Sequence, residues 1–144
     1  MSKVQEDSIV RSVVLAADRE TVWRAISSDD GLAGWLAETA TVDLRPGGEG
    51  LVSFAGGHER RLRVDTVESG ETIQFHWSPR SRPGDETRVE LRLEDAGDGA
   101  TRLTVTESGF GRTTAHAGRM AVSAWAWEAA LVALVALLVL VAVA

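Results

Sequence analysis

Glu107 is the residue whose type and position best suit chemistry in this sequence. Strict alternation from Leu103 and Val105 puts its carboxylate on the same face of a predicted strand as these apolar side chains. A carboxylate on a buried face loses solvation, and such groups are candidates for acid–base catalysis or for orienting a ligand. In the competing interpretation the strand ends here, and Glu107 reaches solvent or caps the helix that follows. Both interpretations stay open on the sequence alone.

Large aromatic side chains offer a second kind of chemistry, the binding of an apolar molecule. Phe75 and Trp77 share one face of a predicted strand with Ile73, and Trp35 lies in a predicted helix. An indole also carries an N–H group that needs a partner when it is buried. These side chains can line a cavity or simply fill a core, which is the commoner role of such residues.

Several kinds of site are excluded by what the sequence lacks. The chain has no cysteine, which excludes disulfides, thiolate catalysis, zinc fingers and iron–sulfur clusters. Its histidines, His58, His76 and His116, lie on separate predicted elements without metal-ligand spacing, and alternation puts His76 on the solvent side of its strand. The G-x-S-x-G, G-x-G-x-x-G and phosphate-loop motifs are absent. We therefore predict no metal and no cofactor, and we assign no catalytic residue.

The charge pattern argues against nucleic acid as a partner. The 15 basic and 21 acidic side chains give a formal net charge of −6, whereas phosphate-binding surfaces are normally basic. Arg80 and Arg82 lie in a proline-bounded loop and could meet an anionic ligand, although a solvated loop is the commoner outcome. The opening residues 1–10 lack the apolar stretch of a secretory signal, so the predicted location is cytoplasmic.

The hydrophobic pattern predicts the elements that would position these side chains. A β-branched strand at residues 9–15 precedes a helix that Asp18 can cap and a second, short helix that begins in the polar residues 27–30. From about residue 114 the chain predicts one long helix, and the 144 residues together make a single domain, residues 1–144. Between them, alternating segments joined by glycine-rich turns predict an antiparallel sheet with one buried face. These segments are residues 39–44, 51–54, 62–66, 72–77, 89–93 and 103–107.

Five motifs, in order along the chain, resemble those of one family. They are V-W-R-A at residues 22–25 with Leu32 and Trp35, D-L-R-P-G-G at 43–48, I-Q-F-H-W at 73–77, T-R-L-T-V-T-E-S-G-F at 101–110, and Trp127 with Leu131. This set is similar to the family of activators of heat-shock protein 90 ATPase homologues over about residues 9–138, although Ala126 replaces the family's usual glycine. The resemblance implies a START-like (SRPBCC) α+β helix-grip fold. In that fold a curved antiparallel sheet of about seven strands surrounds a long C-terminal helix and leaves an internal cavity.

The predicted terminal helix is unusually apolar. Residues 129–144 carry no polar side chain, whereas a helix packed on a sheet normally keeps a polar outer face. The outer face could pair with a second subunit, the helix could anchor in a membrane, or the chain end could be altered. The uncharged run is shorter than the roughly 20 residues of a spanning helix, and Trp127, Leu131, Leu134 and Leu138 recur at the spacing of a sheet-packing stripe. The sequence therefore disfavours a membrane anchor and leaves a homodimer through this helix as a candidate.

These features favour the binding of a small hydrophobic or amphipathic molecule between the sheet and the last helix. Glu107 would orient the molecule, and because no second inward titratable group pairs with it, the sequence favours a binding protein over an enzyme. Two alternatives stay open: a co-chaperone-like interaction module that uses the exposed sheet face, and a cyclase- or dehydratase-type enzyme. The predicted ligand-binding residues are Trp35, Phe75, Trp77, Leu91, Val105, Glu107, Trp127 and Leu131.

Overall fold

The elements follow the predicted order of one strand, two short helices, six strands and a long helix. The structure is a computed structural model that describes the backbone of residues 7–143 and the side chains of residues 7–139; residues 1–6 and Ala144 of the predicted domain lie outside it. The helices are α1 (Arg19–Ser27), α2 (Asp29–Trp35) and α3 (His116–Val143), with a 3₁₀ turn at Phe110–Arg112. The strands are β1 (Ser8–Leu15), β2 (Thr39–Val42), β3 (Glu49–Ser53), β4 (Glu59–Glu68), β5 (Thr72–Pro79), β6 (Thr87–Gly97) and β7 (Ala100–Ser108).

All seven strands form one antiparallel sheet in the order β1-β7-β6-β5-β4-β3-β2. Register irregularities in β4, between Val64 and Thr66, and in β6, between Asp95 and Gly97, interrupt the pairing, as β-bulges do where a sheet bends. The sheet is curved, and α3 packs on its buried face. This arrangement confirms the predicted α+β helix-grip fold.

A side chain caps the start of each short helix, and one indole hydrogen bond joins the two helices. Asp18 caps α1 by accepting from the amide of Thr21 at 2.8 Å, and Ser28 caps α2 by accepting from Gly31 at 3.0 Å. The indole of Trp35 donates to the carbonyl of Ala25 at 2.9 Å, which fixes α2 against α1. The capping role predicted for Asp18 is therefore confirmed.

The turn between β2 and β3 accounts for the glycines of the D-L-R-P-G-G motif. Gly47 has φ +83°, a left-handed conformation that side chains disfavour. A Cβ at Gly48 would lie 2.0 Å from the carbonyl oxygen of Asp43, so only glycine fits there. The amide of Gly47 donates to Val64 at 2.8 Å, which joins the turn to β4.

Helix α3 is apolar on its outer face as well as on the face that meets the sheet. Its buried stripe consists of Trp127, Leu131, Leu134 and Leu138, as their spacing predicts. Val132 on the outer face is 70% exposed. Glu128, also on this face, forms an ion pair with Arg11 of β1 at 3.1 Å. By length and composition alone the stretch His116–Val139 could cross a membrane; 33% of its most apolar window is buried in the protein.

Candidate functional site

The carboxylate of Glu107 lies at the centre of the interface between the sheet and α3. Its side chain is 1% exposed, so the alternative in which it reaches solvent is wrong. One oxygen, Oε2, accepts from the indole N–H of Trp77 at 3.0 Å and from the hydroxyl of Thr87 at 2.6 Å. The other oxygen, Oε1, accepts from the indole N–H of Trp127 at 2.9 Å. An indole N–H can only donate, so both oxygens of Glu107 serve as acceptors.

Strand register explains why these donors converge on one carboxylate. Trp77 and Thr87 face each other across β5 and β6, while Glu107 on β7 faces Val89, two residues beyond Thr87 on the same side of β6. Trp127 approaches from α3. The carboxylate therefore joins two inner strands to the helix that covers them.

Aromatic rings surround this hydrogen-bonded group. The rings of Trp77 and Trp127 stack with centroids 5.8 Å apart and planes 23° apart. Phe75 and Phe54 meet the Trp77 ring edge-on at 5.4 and 6.2 Å. The guanidinium carbon of Arg60 lies 4.7 Å from the centroid of Trp77, within the range of a cation–π contact.

The core is closely packed between the two short helices and the sheet and open near the start of α3. A void between the short helices and the sheet, which Phe75 and Leu91 border, measures about 20 Å³, which is room for about one water molecule. Near the start of α3 are two larger hollows of about 350 and 460 Å³, and both are bordered by Arg60, Val122 and Ser123. We call these two adjoining hollows the α3 cleft.

The predicted ligand-binding residues divide between the α3 cleft and the core. Glu107 lines the smaller hollow, and Trp35, Trp77 and Trp127 line the larger one. Phe75 and Leu91 border the small void, and Val105 and Leu131 lie within the packed hydrophobic core. The structure thus brings four of these side chains to open space, while the role of all eight in ligand binding stays a prediction.

Sequence reasoning missed Arg60, which borders both hollows. It lies two residues before Leu62 and four before Val64, which are both buried, so the alternation of β4 places it on the inner face. Extending the alternation backward from Leu62 would have found it. Burial lowers the pKa of Arg60; the negative charge of Glu107 opposes this shift, and the positive charge of Arg119 adds to it.

Asp85 fastens the segment before α3 to the loop between β5 and β6. Its carboxylate accepts from the backbone amide of Thr114 at 3.1 Å and from the hydroxyl of that residue at 2.9 Å. Arg119 pairs with the same carboxylate at 2.7 Å. The amide of Thr114, followed by its hydroxyl and then the charge of Arg119, lowers the pKa of Asp85 below its ordinary value of 3.8, against the opposing effect of burial.

This lowered pKa predicts how the stability contributed by Asp85 depends on pH. A carboxyl group whose pKa is lower in the folded state stabilises it fully above the ordinary pKa and loses this contribution as pH falls through the lowered value. We expect the stability lost in Asp85→Asn, measured by urea unfolding, to be largest above pH 3.8 and to shrink below it. Asp98→Asn, in the exposed turn after β6, is the control. A loss that stays constant through the acid range would contradict the assignment.

The histidines add no metal site to this end of the fold. Within residues 7–143 no cluster of three or more histidine or acidic side chains could hold a metal ion. His76 was predicted to face solvent, but it is partly buried on the outer face of the sheet, with Nδ1 2.6 Å from the carboxylate of Asp65. His58 is exposed at the rim of the larger hollow.

Comparisons with known proteins agree with this architecture. The sequence model of the family described as "Activator of Hsp90 ATPase homolog 1-like protein" matches residues 16–139. No curated protein matches the chain. The crystal structure of DynU16, from the dynemicin biosynthetic locus, is similar with a TM-score of 0.79 and 26% identity over 92% of this chain. The match spans 47% of the DynU16 chain, so this chain corresponds to about half of that protein.

Two further solved structures are similar over most of their own length. Protein CV1439 from Chromobacterium violaceum has a TM-score of 0.73 and 26% identity, over 92% of this chain and 96% of its own. The solution structure of the Aha1 dimer from Colwellia psychrerythraea has a TM-score of 0.72 and 24% identity, over 88% of this chain and 92% of its own. At 24% identity this last likeness supports the fold alone.

Proposed function

The chain belongs to the Activator of Hsp90 ATPase homolog 1-like family, and from the site that its fold builds we propose that it binds a small apolar or amphipathic molecule in the α3 cleft. The observation that carries this proposal is the open space beside Trp77 and Trp127. The larger hollow, at about 460 Å³, falls within the roughly 300–1,000 Å³ of small-molecule sites in proteins. Its aromatic lining suits an apolar body, and burial would contribute about 25 cal/mol per Å², offset by the cost of ordering the ligand.

Glu107 has a positioning role in this proposal. Because its carboxylate already accepts three hydrogen bonds, it holds the indoles of Trp77 and Trp127 in place as two walls of the hollow. A wall fixed in this way lowers the cost of ordering the site when a ligand binds. This arrangement supports a binding protein more than an enzyme, which would need a carboxyl group free to reach its substrate.

Filling the larger hollow with a side chain tests the proposal. Neutral N-phenyl-naphthylamine, whose emission rises in apolar surroundings, is the probe, and we expect saturable binding to the unaltered chain. Ala126 lines the hollow, so Ala126→Trp is expected to weaken binding by about tenfold or more, since it occupies the space the probe needs. Ala121→Trp, on an exposed part of α3 away from that lining, is the matched control. Absence of saturable binding to the unaltered chain, or equal binding by all three proteins, would contradict the proposal.

The outer face of α3 supports a second proposal, that two copies of the chain associate through it. Exposed apolar residues recur there at alternating spacings of three and four, the pattern by which helices pair. The related Aha1 protein from Colwellia psychrerythraea is described as a dimer, which makes a second copy the favoured occupant. The residues of this stripe are Val122, Trp125, Ala129, Val132, Ala136 and Val139; the first three also line the larger hollow, so a second copy would cover the rim of the α3 cleft.

A single charge in the stripe tests this association. We expect the unaltered chain to sediment as a dimer and Val132→Glu to sediment as a monomer, because a carboxylate would be desolvated at the centre of the interface. Val10→Glu, at an exposed apolar position of β1, is the control. A monomeric unaltered chain would contradict the proposal, as would its recovery with lipid vesicles instead of as a dimer.

The remaining sequence-based expectations stay predictions. On the exposed face of the sheet, proposed for a co-chaperone-like contact, Glu90 accepts from Gln74 and Arg92, and Gln74 accepts from Arg88. These residues thus make hydrogen bonds among themselves, and no feature of that face favours a partner protein. The cyclase- or dehydratase-type activity and the cytoplasmic location likewise stay predictions.

A further inference from the structure

Arg60 gives the α3 cleft a positive charge beside its aromatic wall. From this arrangement we propose that the molecule bound there carries an anionic group, a carboxylate, sulfate or phosphate, which the guanidinium of Arg60 binds while the apolar body lies against Trp77. This inference deepens the proposed function and rests on it. The shared chemistry is that of an organic anion with an apolar body.

The hydrogen-bonding capacity of Arg60 is not used within the described part of the chain. Neighbouring arginines are paired: Arg80 with Glu59 at 2.7 Å and Arg119 with Asp85 at 2.7 Å. For Arg60 the described residues provide no hydrogen bond and no ion pair within 4.0 Å. Its side-chain nitrogens are not among the fully buried polar atoms without a partner in residues 7–139, so they are not fully enclosed, and Arg60 lines both hollows of the α3 cleft.

Among the described residues, Glu107 does not form an ion pair with Arg60. Its two oxygens are occupied by the indoles of Trp77 and Trp127 and by the hydroxyl of Thr87. Arginine stays protonated in proteins, so a cation persists at the border of both hollows. The lining of these hollows includes three arginines, Arg60, Arg82 and Arg119, against two carboxylates, although the whole chain has a formal net charge of −6.

The contact with Trp77 orients Arg60 for anion binding. The guanidinium carbon lies 4.7 Å from the ring centroid, so the indole supports the cation without consuming its N–H groups. A guanidinium can donate two parallel hydrogen bonds to a carboxylate, sulfate or phosphate. In a partly desolvated cleft these bonds are stronger than at an exposed surface. The same tryptophan therefore contacts both the cation and the space for the apolar body.

Two probes that differ by one anionic group test this inference. Anilinonaphthalene sulfonate carries a sulfonate on nearly the same apolar skeleton as neutral N-phenyl-naphthylamine. We expect Arg60→Gln to weaken binding of the sulfonate probe by about tenfold or more, the usual effect of losing a charge-assisted hydrogen bond, and to change binding of the neutral probe by less than about twofold. Arg60→Lys, which keeps the charge but not the fork of donors, should give an intermediate loss.

Controls separate this effect from general loss of charge or of structure. Arg63→Gln, at an exposed position of the same strand, should leave the affinity for both probes unchanged. Ala126→Trp should weaken binding of both probes, which places them in the α3 cleft. If Arg60→Gln fails to fold, the salt dependence of binding replaces it: added chloride should weaken binding of the sulfonate probe alone.

The outcomes distinguish the inference from the function on which it rests. If neither probe binds the unaltered chain, the proposed function fails and the inference fails with it. If both probes bind but Arg60→Gln affects them equally or not at all, only the inference is overturned. Selective weakening of the sulfonate probe supports it.

Discussion

Replacing Trp127 with alanine is expected to lower the free energy of unfolding by about 3–5 kcal/mol, the usual cost of removing a large buried aromatic side chain. Trp127 is 3% exposed, stacks on Trp77 and donates its indole N–H to Glu107 at 2.9 Å. Alanine would remove the contacts of the stack and the donor to one carboxylate oxygen. Urea unfolding of the two proteins measures the difference directly.

The same helix supplies a matched control for this substitution. Trp125, two residues earlier, is 71% exposed, so in the Val132→Glu background, which removes the proposed association, Trp125→Ala should change stability by no more than about 0.5 kcal/mol. Trp127→Phe keeps most of the apolar area but loses a hydrogen bond to a charged group, which is worth about 1.5–3 kcal/mol. Equal effects of the alanine substitutions at positions 125 and 127 would show that the interface around Glu107 does not hold α3 to the sheet.

The elements were predictable because each is encoded locally. The period-two segments became strands, and Asp18 capped α1, because alternation and capping depend on residues only a few positions apart. The stripe of Trp127, Leu131, Leu134 and Leu138 predicted correctly which face of α3 meets the sheet. The strands in the structure extend beyond most of the predicted segments, since the pairing between strands continues past the apolar residues that mark each segment in the sequence.

The site was only partly predictable because it depends on which side chains fill the space between elements. Alternation gave the inward direction of Glu107, but the convergence of Trp77, Thr87 and Trp127 on it follows from the register of β5, β6 and β7 and from the placement of α3. Sequence patterns do not give register or packing density. They therefore could not separate the packed core around Leu91 from the open space beside Arg60.

The hydrogen bonds of Glu107 also explain why an unpaired arginine can lie close to a buried carboxylate. Glu107 is surrounded by neutral donors, so its charge is dispersed over three hydrogen bonds and it leaves the guanidinium of Arg60 unpaired. Its negative charge nevertheless favours the protonated form of Arg60, as the opposing effect on the pKa of that residue indicates. One carboxylate thus positions the aromatic wall and supports the cation beside it.

Removing the acceptor at Glu107 is expected to be the second large perturbation of the fold. Glu107→Leu would leave the indole N–H groups of Trp77 and Trp127 and the hydroxyl of Thr87 without their acceptor. Each donor that water cannot reach should lower the free energy of unfolding by about 1–3 kcal/mol. Glu107→Gln can keep one carbonyl oxygen but points an NH₂ group at a remaining donor, so it should cost about 1–3 kcal/mol in total. Urea unfolding ranks the two variants.

The order of these losses shows whether the hydrogen bonds of Glu107 stabilise the fold. Glu94→Gln, at an exposed position of β6, should stay within about 0.5 kcal/mol of the unaltered chain, because water satisfies both side chains there. If Glu107→Leu proved as stable as the unaltered chain, apolar packing would be sufficient at this position and the three hydrogen bonds would be dispensable. A loss larger for leucine than for glutamine, and larger for both than for the control, means that the carboxylate fixes α3 and the two indoles, and with them the shape of the α3 cleft.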